Sequence, residues 1–473
     1  MREGSSQILP VILCGGSGAR LWPASRDSRP KPFLNLLGPY STFQMAVQRV
    51  ASPAIFSQPV IILSKAAKSA AADQLAQIGA GAAIILEPVQ RDSAAAIAVA
   101  ACHAASSDPE AILLIVPADH VIDDPEAFLM SCEAAIEPAR QGHIMILGLV
   151  PQDPATGYGY IRPGIRIDGT AAFKVDSFIE KPDGFAAQGY IEQGYLWNSG
   201  IFMFRADVML DELARFQPEI LAGAREALQR ATADQDSICL HEGSFGLAPK
   251  TSIDYAVMEH TDRAGVIPVS FSWSDIGTWE ALWNASPRDE RGNCLRGNVE
   301  VTETRNSLID SNGILTTVAG LNDIVVVTRP DAVLVAARKR PDLVKDFVAS
   351  LRAKQRPEAS EPVRMDQSWG WYETMDRGSR FQVKRIVVKP GAGLSLQRHH
   401  HRAEHWVVLH GGAEVTVEGR TTLVREGEAA YIPVGAVHRL ANPGRVSLEI
   451  IGIQIGSYTG EDDIIRVEGT CSR

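Results

Sequence analysis

Residues 15 to 31, GGSGARLWPASRDSRPK, set glycines beside cations in a way that suits a phosphate. Gly15, Gly16 and Gly18 follow the apolar run PVILC, so backbone N–H groups without flanking side chains can approach an anion closely. Arg20 comes just past the glycines, and Lys31 stands between two prolines that stiffen its backbone and fix its direction. Such cations suit the charge that builds on a phosphorus under attack, which makes Arg20 and Lys31 candidate catalytic residues. The string is not a Walker loop, because no Gly-Lys-Ser/Thr follows, and it is not the G-x-G-x-x-G dinucleotide pattern. A bare G-x-G is ordinarily a strand-to-helix turn; the added cations and prolines argue for more.

Carboxylates supply the next requirement. Asp119 in VPADH follows the apolar run 111–116, at a strand's carboxyl end, where open α/β sheets bind ligands. Asp275 in WSDIGTW is a second acid able to join it around Mg²⁺, which takes one or two carboxylates plus substrate phosphates. Either alone would more often be a helix cap or turn residue. Between them FIEKP and WNSGIF offer Glu180, Lys181 and Asn198, polar types that hold sugar hydroxyls and a phosphate, although both could be plain strand-end turns.

A second cluster, QRHHHRAEHW, has different chemistry. Gly391-x5-Gln397-x-His399-x4-Glu404-x6-Gly411 is the spacing of the first cupin motif, with glutamine in place of the first histidine. Gly427-x5-Pro433-x-Gly435-x2-His438-x3-Asn442 is the spacing of the second. Gln397 and His399 share a strand face because side chains alternate. With Glu404 and His438 they form a mixed N/O set suited to a divalent ion such as Zn²⁺, Co²⁺, Mn²⁺ or Fe²⁺. Three adjacent histidines alone would be as readily a solvated turn.

The elements that must position these residues follow from texture. The 473-residue length implies two or three domains. From residue 8 to about 285, β-rich apolar runs alternate with alanine-rich helical stretches, which reads as α/β with a mainly parallel sheet. Beyond GTWEALW come short strands with turn residues, a compact β appendage or short solenoid, until PDLVKDFVASLRAK restores helical periodicity. KQRPEASEPVR, 354–364, has linker composition, and glycine-punctuated strands beyond it suggest a small antiparallel barrel or jelly roll. The expected domains are therefore 1–288, 289–353, a linker at 354–364, and 365–473.

The net charge of −10 argues against broad binding to nucleic acid or anionic membranes. No apolar run approaches a membrane span, and MREGSSQILP does not read as a signal peptide. The six scattered cysteines, without a C-x-x-C pair, read as reduced thiols of a cytoplasmic protein.

GGSGARLWPASRDSRPKP, with RDSAAAIA, PADH, FIEKP, WNSGIF and WSDIGTW, resembles the sugar-phosphate nucleotidyltransferases, specifically the mannose-1-phosphate guanylyltransferases. That resemblance implies a Rossmann-like domain in which mannose 1-phosphate attacks the α-phosphorus of GTP. It assigns Gly16, Gly18, Arg20 and Lys31 to the triphosphate, Asp119 and Asp275 to Mg²⁺, Glu180, Lys181 and Asn198 to the mannose phosphate, and Glu87 to Ser93, including Arg91, to the base. QRHHHRAEHW, with WGWYETMDRGSRFQVKRI before it and GEDDIIRVE after, resembles the type II phosphomannose isomerases, cupins fused behind a guanylyltransferase. That implies interconversion of mannose 6-phosphate and fructose 6-phosphate, with Arg402 stabilising the enediolate or holding the phosphate. The isomerase base is left open among His400, His401 and His405. Gly452 departs from the family pattern, which has glutamate before the terminal Q-x-G.

The competing reading is a guanylyltransferase alone, its cupin a metal-stabilised binding or dimerisation module. A homodimer is among the assemblies left open. A nucleotidyltransferase for another sugar with an epimerase cupin fits less well, since epimerase cupins pair a histidine with an aspartate.

Overall fold

A computed structural model describes residues 7–16, 18–234, 237–367 and 369–467. The chain divides into two compact units, Met1–Arg329 with Val333–Gln355, and Pro330–Ala332 with Arg356–Arg473.

The first unit is built on an 11-stranded sheet. Strands Ala83–Glu87, Val60–Ser64, Leu9–Cys14 and Ile112–Pro117 lie side by side and parallel. Their runs are apolar without alternation because two core clusters cover both faces: Ile12, Ile61 and Leu114 face one, Val11, Ile62 and Leu113 the other. Helix Asp92–Ala105 packs on the second face, buried without interruption from Ala94 to Ala101, and its small side chains suit such close seating.

The sheet is mixed rather than mainly parallel. Leu196–Arg205 enters the centre antiparallel to both Ile112–Pro117 and Ile144–Leu149. Ala264–Val269 then continues parallel to Ile144–Leu149, and the hairpin Tyr160–Arg166 with Phe173–Ile179 closes the far edge. The reversal has a positional consequence. With Ile115 registered on Phe202, the first residues of the reversed strand, WNSG, emerge beside the carboxyl ends of the parallel strands.

Strands Cys294–Thr302, Leu308–Ala319 and Ile324–Arg329 stack in parallel, the stepping of a short β-helix, and Ala332–Ala337 ends the sheet. Helix Pro341–Ala353 returns to the start of the chain: Phe347 meets Trp22 edge-on at 6.0 Å, and an Arg352 guanidinium N lies 2.5 Å from Asp27 Oδ1.

The second unit is a cupin-like double sheet of six and five strands. Phe381–Val388, Leu448–Gly456 and Arg402–His410 run antiparallel at the centre of the larger sheet. Gln397–His399 and His438–Ala441 pair in the smaller one. Ile386, Val388, Val408, Val415, Leu440 and Ile450 fill the space between.

Cys14, Cys102, Cys132, Cys239 and Cys294 are free thiols; Cys471 lies outside the described residues, as do Ser17 of the glycine string and Glu468 of GEDDIIRVE. Among the described residues no helix is long and apolar enough to cross a membrane.

Candidate functional site

In the first unit the parallel strands deliver two loops to one edge. Leu9–Cys14 leads into the glycines and Ile112–Pro117 into Asp119, and the register of Leu13 on Pro117 sets the loops beside each other. Gly18 has a φ of 66°, and a Cβ on it would fall 2.7 Å from Lys31 Cβ, so glycine is required both for the turn and for the lysine's approach. Gly16 also has a positive φ, of 81°. Lys31 opens a 3₁₀ turn behind Pro30 and is buried. Its ammonium lies 2.5 Å from Asp119 Oδ2 and donates to the carbonyl oxygen of Asp275. Arg20 is exposed on the neighbouring 3₁₀ turn Ala19–Leu21, close enough to Tyr158 to act on its hydroxyl electrostatically.

Asp275 arrives from far along the chain because the short strand Trp273–Ser274 pairs with Val121–Ile122, just past Asp119. Its Oδ1 accepts hydrogen bonds from Tyr158 Oη and Gly277 N, each at 3.1 Å. The next residue, Ile276, has a φ of 41°, a costly conformation for a β-branched residue and a mark of a site under constraint. Burial raises the Asp119 carboxyl, but Lys31 and His120 outweigh it and hold the group below its ordinary value. Burial drives His120 down to about 4, so the ring is neutral and its Nδ1 accepts from Trp273 Nε1 at 3.3 Å. Lys31 is thus held by the Asp119 carboxylate and by the backbone carbonyl of Asp275, whose own carboxylate accepts from Tyr158 and Gly277 instead.

Two adjoining cavities open here. One, of about 400 Å³, is lined by Gly15, Gly16, Glu87, Arg91, Ser93 and Asp119 among others. Burial and the charge of Asp92 raise Glu87 to about 7, and its Oε1 has no hydrogen-bond partner. An Arg91 guanidinium N donates to the Gly246 carbonyl, and Ser93 Oγ accepts from Ile253 N at 2.9 Å. The other, of about 220 Å³, is lined by Tyr158, Glu180, Asn198, Asp254 and Asp275 among others. Glu180 Oε2 is buried there without a partner, while Oε1 is held by the exposed Lys181. Asn198 Nδ2 donates to Asp254 Oδ1 at 2.8 Å, and burial with the charge of Glu180 raises Asp254 to about 6. The structure therefore collects Gly15, Gly16, Glu87, Arg91, Ser93 and Asp119 around one cavity and Glu180, Asn198 and Asp275 around the next. Gly18, Arg20, Lys31 and Lys181 stand outside the two linings.

Asp254 and Tyr158 are absent from the sequence reading. Asp254 begins a π-helical turn, Asp254–Met258, a local irregularity that often marks a functional position but carries no legible motif.

In the second unit, strand alternation turns Gln397 and His399 inward, and Gln397 pairs in register with His438. One ligand atom each of His399, Glu404 and His438 lies within 4.8 Å of the others, all three residues buried. His399 Nε2 is 2.9 Å from Glu404 Oε1, yet neither ring nitrogen of His399 nor His438 Nε2 makes a hydrogen bond. His399 Nε2 and His438 Nε2, each able to present a lone pair beside the Glu404 carboxylate, fit a metal ion. Supporting groups fix the ligands: Trp406 Nε1 donates to Glu404 Oε2 and Gln454 Nε2 to Glu404 Oε1, each at 2.8 Å, while His438 Nδ1 faces the Ala436 carbonyl at 2.9 Å. Burial raises Glu404, but His399, His438 and Arg402 prevail and hold it near 2.

Arg402 is fully buried, its Nε 3.5 Å from Glu404 Oε1. The three histidines considered as bases do not enter the barrel. His405 alternates with Glu404 and packs outside against Tyr431, His400 is exposed, and His401 is tied to Asp463 by Nδ1 at 2.8 Å. Trp406 and Gln454 lie inside the quoted motifs, but their support of Glu404 was not legible because it depends on cross-strand register. Gly452 faces inward, where a Cβ would meet Ile386 and Trp406 at 3.4 and 3.5 Å.

Known proteins bear on both units. The nucleotidyl transferase family matches residues 9–292, the MannoseP isomerase/GMP-like β-helix domain 297–351, and the mannose-6-phosphate isomerase C-terminal domain 354–469. The chain is 46% identical over 470 residues to the xanthan biosynthesis protein XanB of Xanthomonas campestris pv. campestris, spanning 99% of this chain and 100% of the relative. It is 43% identical over 470 residues to a mannose-1-phosphate guanylyltransferase of Klebsiella pneumoniae, spanning 98% of this chain and 100% of that one. A solved structure titled mannose-1-phosphate geranyltransferase, from Thermus thermophilus, superposes with a TM-score of 0.64 at 31% identity, covering 73% of this chain and 99% of its own.

Proposed function

The chain belongs to the nucleotidyl transferase family, in the branch that carries a β-helix and a mannose-6-phosphate isomerase domain, and from that premise we propose a bifunctional enzyme. Its first unit joins mannose 1-phosphate to GTP, giving GDP-mannose and pyrophosphate. Its second interconverts mannose 6-phosphate and fructose 6-phosphate. The functional boundaries follow the sequence reading, 1–288, 289–353 and 365–473, joined by 354–364. The enzyme acts in the cytoplasm, and its product serves polysaccharide biosynthesis, as the name of the xanthan relative says of that protein.

In the transferase cleft the glycine loop, Arg20 and Lys31 bind the triphosphate, and the sugar phosphate's oxygen attacks the α-phosphorus in line with the departing pyrophosphate. Arg20 and Lys31 stabilise the charge that develops on the equatorial oxygens. Glu87, ionised, accepts from the N–H donors of guanine, a role its unpartnered Oε1 supports; Arg91 and Ser93 shape the same wall. Glu180 and Asn198 orient the mannose ring, and Lys181 meets its phosphate. Asp119 and Asp275 would hold Mg²⁺, which when bound neutralises phosphate charge.

In the cupin, Gln397, His399, Glu404 and His438 would hold a divalent Zn²⁺, Co²⁺, Mn²⁺ or Fe²⁺ ion, which when bound polarises the C1 and C2 oxygens. Arg402 stabilises the enediolate that forms as a proton moves between those carbons. The observation that carries this reading is the convergence of the buried His399, Glu404 and His438, one ligand atom of each within 4.8 Å of the others, with His399 Nε2 and His438 Nε2 free of hydrogen bonds.

The test is twofold. GTP, mannose 1-phosphate and Mg²⁺ should yield GDP-mannose with stoichiometric pyrophosphate, and fructose 6-phosphate should yield mannose 6-phosphate. Absence of the first product would remove the transferase assignment; absence of the second with every divalent metal would leave the cupin as a binding or dimerisation module.

A further inference from the structure

Among the described residues, the barrel interior holds a buried lysine that the ligand set does not use. Strand Phe381–Val388 alternates so that Gln382, Lys384, Ile386 and Val388 are buried while Phe381 is exposed. Two layers can be traced across the central strands. Gln382, Gln454 and Glu404 are aligned in one, and Lys384, Gly452 and Trp406 in the next. Lys384 is therefore an inward-facing cation one layer from a candidate metal ligand. Gly452 offers it no side chain across the strand.

Its counter-charge comes from elsewhere. The Lys384 ammonium binds Glu461, on the 3₁₀ turn Glu461–Asp463, and lies 4.4 Å from the centroid of the Tyr372 ring. The other interior cation holds the same stretch: an Arg402 guanidinium N donates to the Gly460 carbonyl at 2.6 Å and stands 3.8 Å from Asp463 Oδ2. In the amide orientation that satisfies its neighbours, Gln382 donates to the Thr459 carbonyl at 3.2 Å. Asp463 accepts from the backbone N–H groups of His400 and His401 at 3.2 and 3.3 Å. Two carboxylates and a carbonyl from one short stretch thus face two barrel cations, the charge and oxygen content of a phosphate monoester.

The two ends of the Lys384–Glu461 pair differ in burial. The lysine side chain is 5% exposed and the glutamate 45%. A buried ammonium is costly without a partner, whereas a half-exposed carboxylate returns to water at small cost. Glu461 is the end that can be exchanged for another anion. We propose that Lys384 anchors the phosphate of the cupin's hexose-phosphate substrate, and that Glu461 is its resident counter-ion in the free protein, displaced when the phosphate binds. The proposal rests on the reading of the cupin as a hexose-phosphate isomerase.

The test uses the full-length, metal-loaded protein, with retained metal at His399, Glu404 and His438 as the check that each variant's cupin is folded. Lys384→Met should raise the KM for fructose 6-phosphate about tenfold or more, the loss of one charge-assisted contact, with a smaller change in kcat and partial rescue in Lys384→Arg. Glu461→Gln should do the opposite, lowering that KM and tightening competitive inhibition by inorganic phosphate. A merely structural ion pair would weaken both variants alike, so that result, or an unchanged KM in Lys384→Met, overturns the proposal. If Lys384→Met does not fold, the direction of the Glu461→Gln effect decides alone. If wild type shows no turnover, calorimetry with fructose 6-phosphate separates the two claims: binding by wild type that Glu461→Gln strengthens upholds the anchor while the isomerase reading fails. No binding, or binding that Glu461→Gln weakens or leaves unchanged, removes the anchor too.

Discussion

The transferase cleft and the cupin core prepare for their ligands in opposite ways. In the cleft the charged groups neutralise one another: the Lys31 ammonium lies against Asp119 and the Asp275 carbonyl, and Glu180 holds Lys181. These groups sit on loops and strand ends, where they can be re-paired when a triphosphate and sugar phosphate bring their own charges. In the core, His399, Glu404 and His438 stand on paired strands, His399 Nε2 and His438 Nε2 without hydrogen bonds and the set fixed by Trp406, Gln454 and the Ala436 carbonyl. The cleft's pairs are suited to exchanging partners upon binding, whereas the cupin's metal-ligand set is suited to keeping a fixed shape. Loops suit a reaction with large, highly charged substrates, and strands suit a small ion that needs its ligands in place beforehand.

The sharpest way to break this contrast is to damage each site and read both activities. His438→Ala should reduce isomerisation to background while guanylyl transfer stays within about twofold, since the sites share no group; coupled assays on one preparation check it. Lys31→Ala should lower guanylyl transfer by about 10²–10³-fold, the scale of losing a group that stabilises developing charge, without affecting isomerisation. Loss of both activities in either folded variant would mean the sites are not independent.

Smaller effects sharpen the comparison. Gln454→Ala releases a support of Glu404 rather than a ligand, so metal affinity should fall about 10–100-fold, measured by competition with a chelator, and saturating metal should restore turnover. Glu87 tests the cleft by pH. Its ordinary value is 4.5 and burial with Asp92 raises it to about 7. Guanine needs the ionised form, so the KM for GTP should be flat above pH 7 and rise as pH falls below it, by up to about tenfold per pH unit. Glu87→Gln should abolish that slope; a slope of equal size in the variant would place the titration elsewhere.

Much of both sites was legible because local geometry constrained the residues. Gly18 must be glycine for its left-handed backbone and for its contact with Lys31. Gln397 and His399 share a face by alternation alone. What was not legible depends on long-range register. Asp254 reaches Asn198 only because a π-helical turn and a reversed strand meet. That reversed strand, Leu196–Arg205, also made the sheet mixed, since an apolar run does not show its direction. The histidine run drew attention to His400, His401 and His405, which the strand's alternation and the Asp463 contact place outside, while Lys384 gave no local signal. Gly452, a departure when read along the chain, lies in the layer of Lys384 and Trp406.

The central claim is that one chain holds two separable activities, the second dependent on a metal in the cupin. It is tested most directly by assaying fructose 6-phosphate isomerisation and guanylyl transfer on one preparation after chelation, restoring Mg²⁺ first and then single transition metals. Guanylyl transfer should return with Mg²⁺ alone, and isomerisation only when a transition metal is added. Isomerisation that persists without metal, or fails with every metal, would contradict the account.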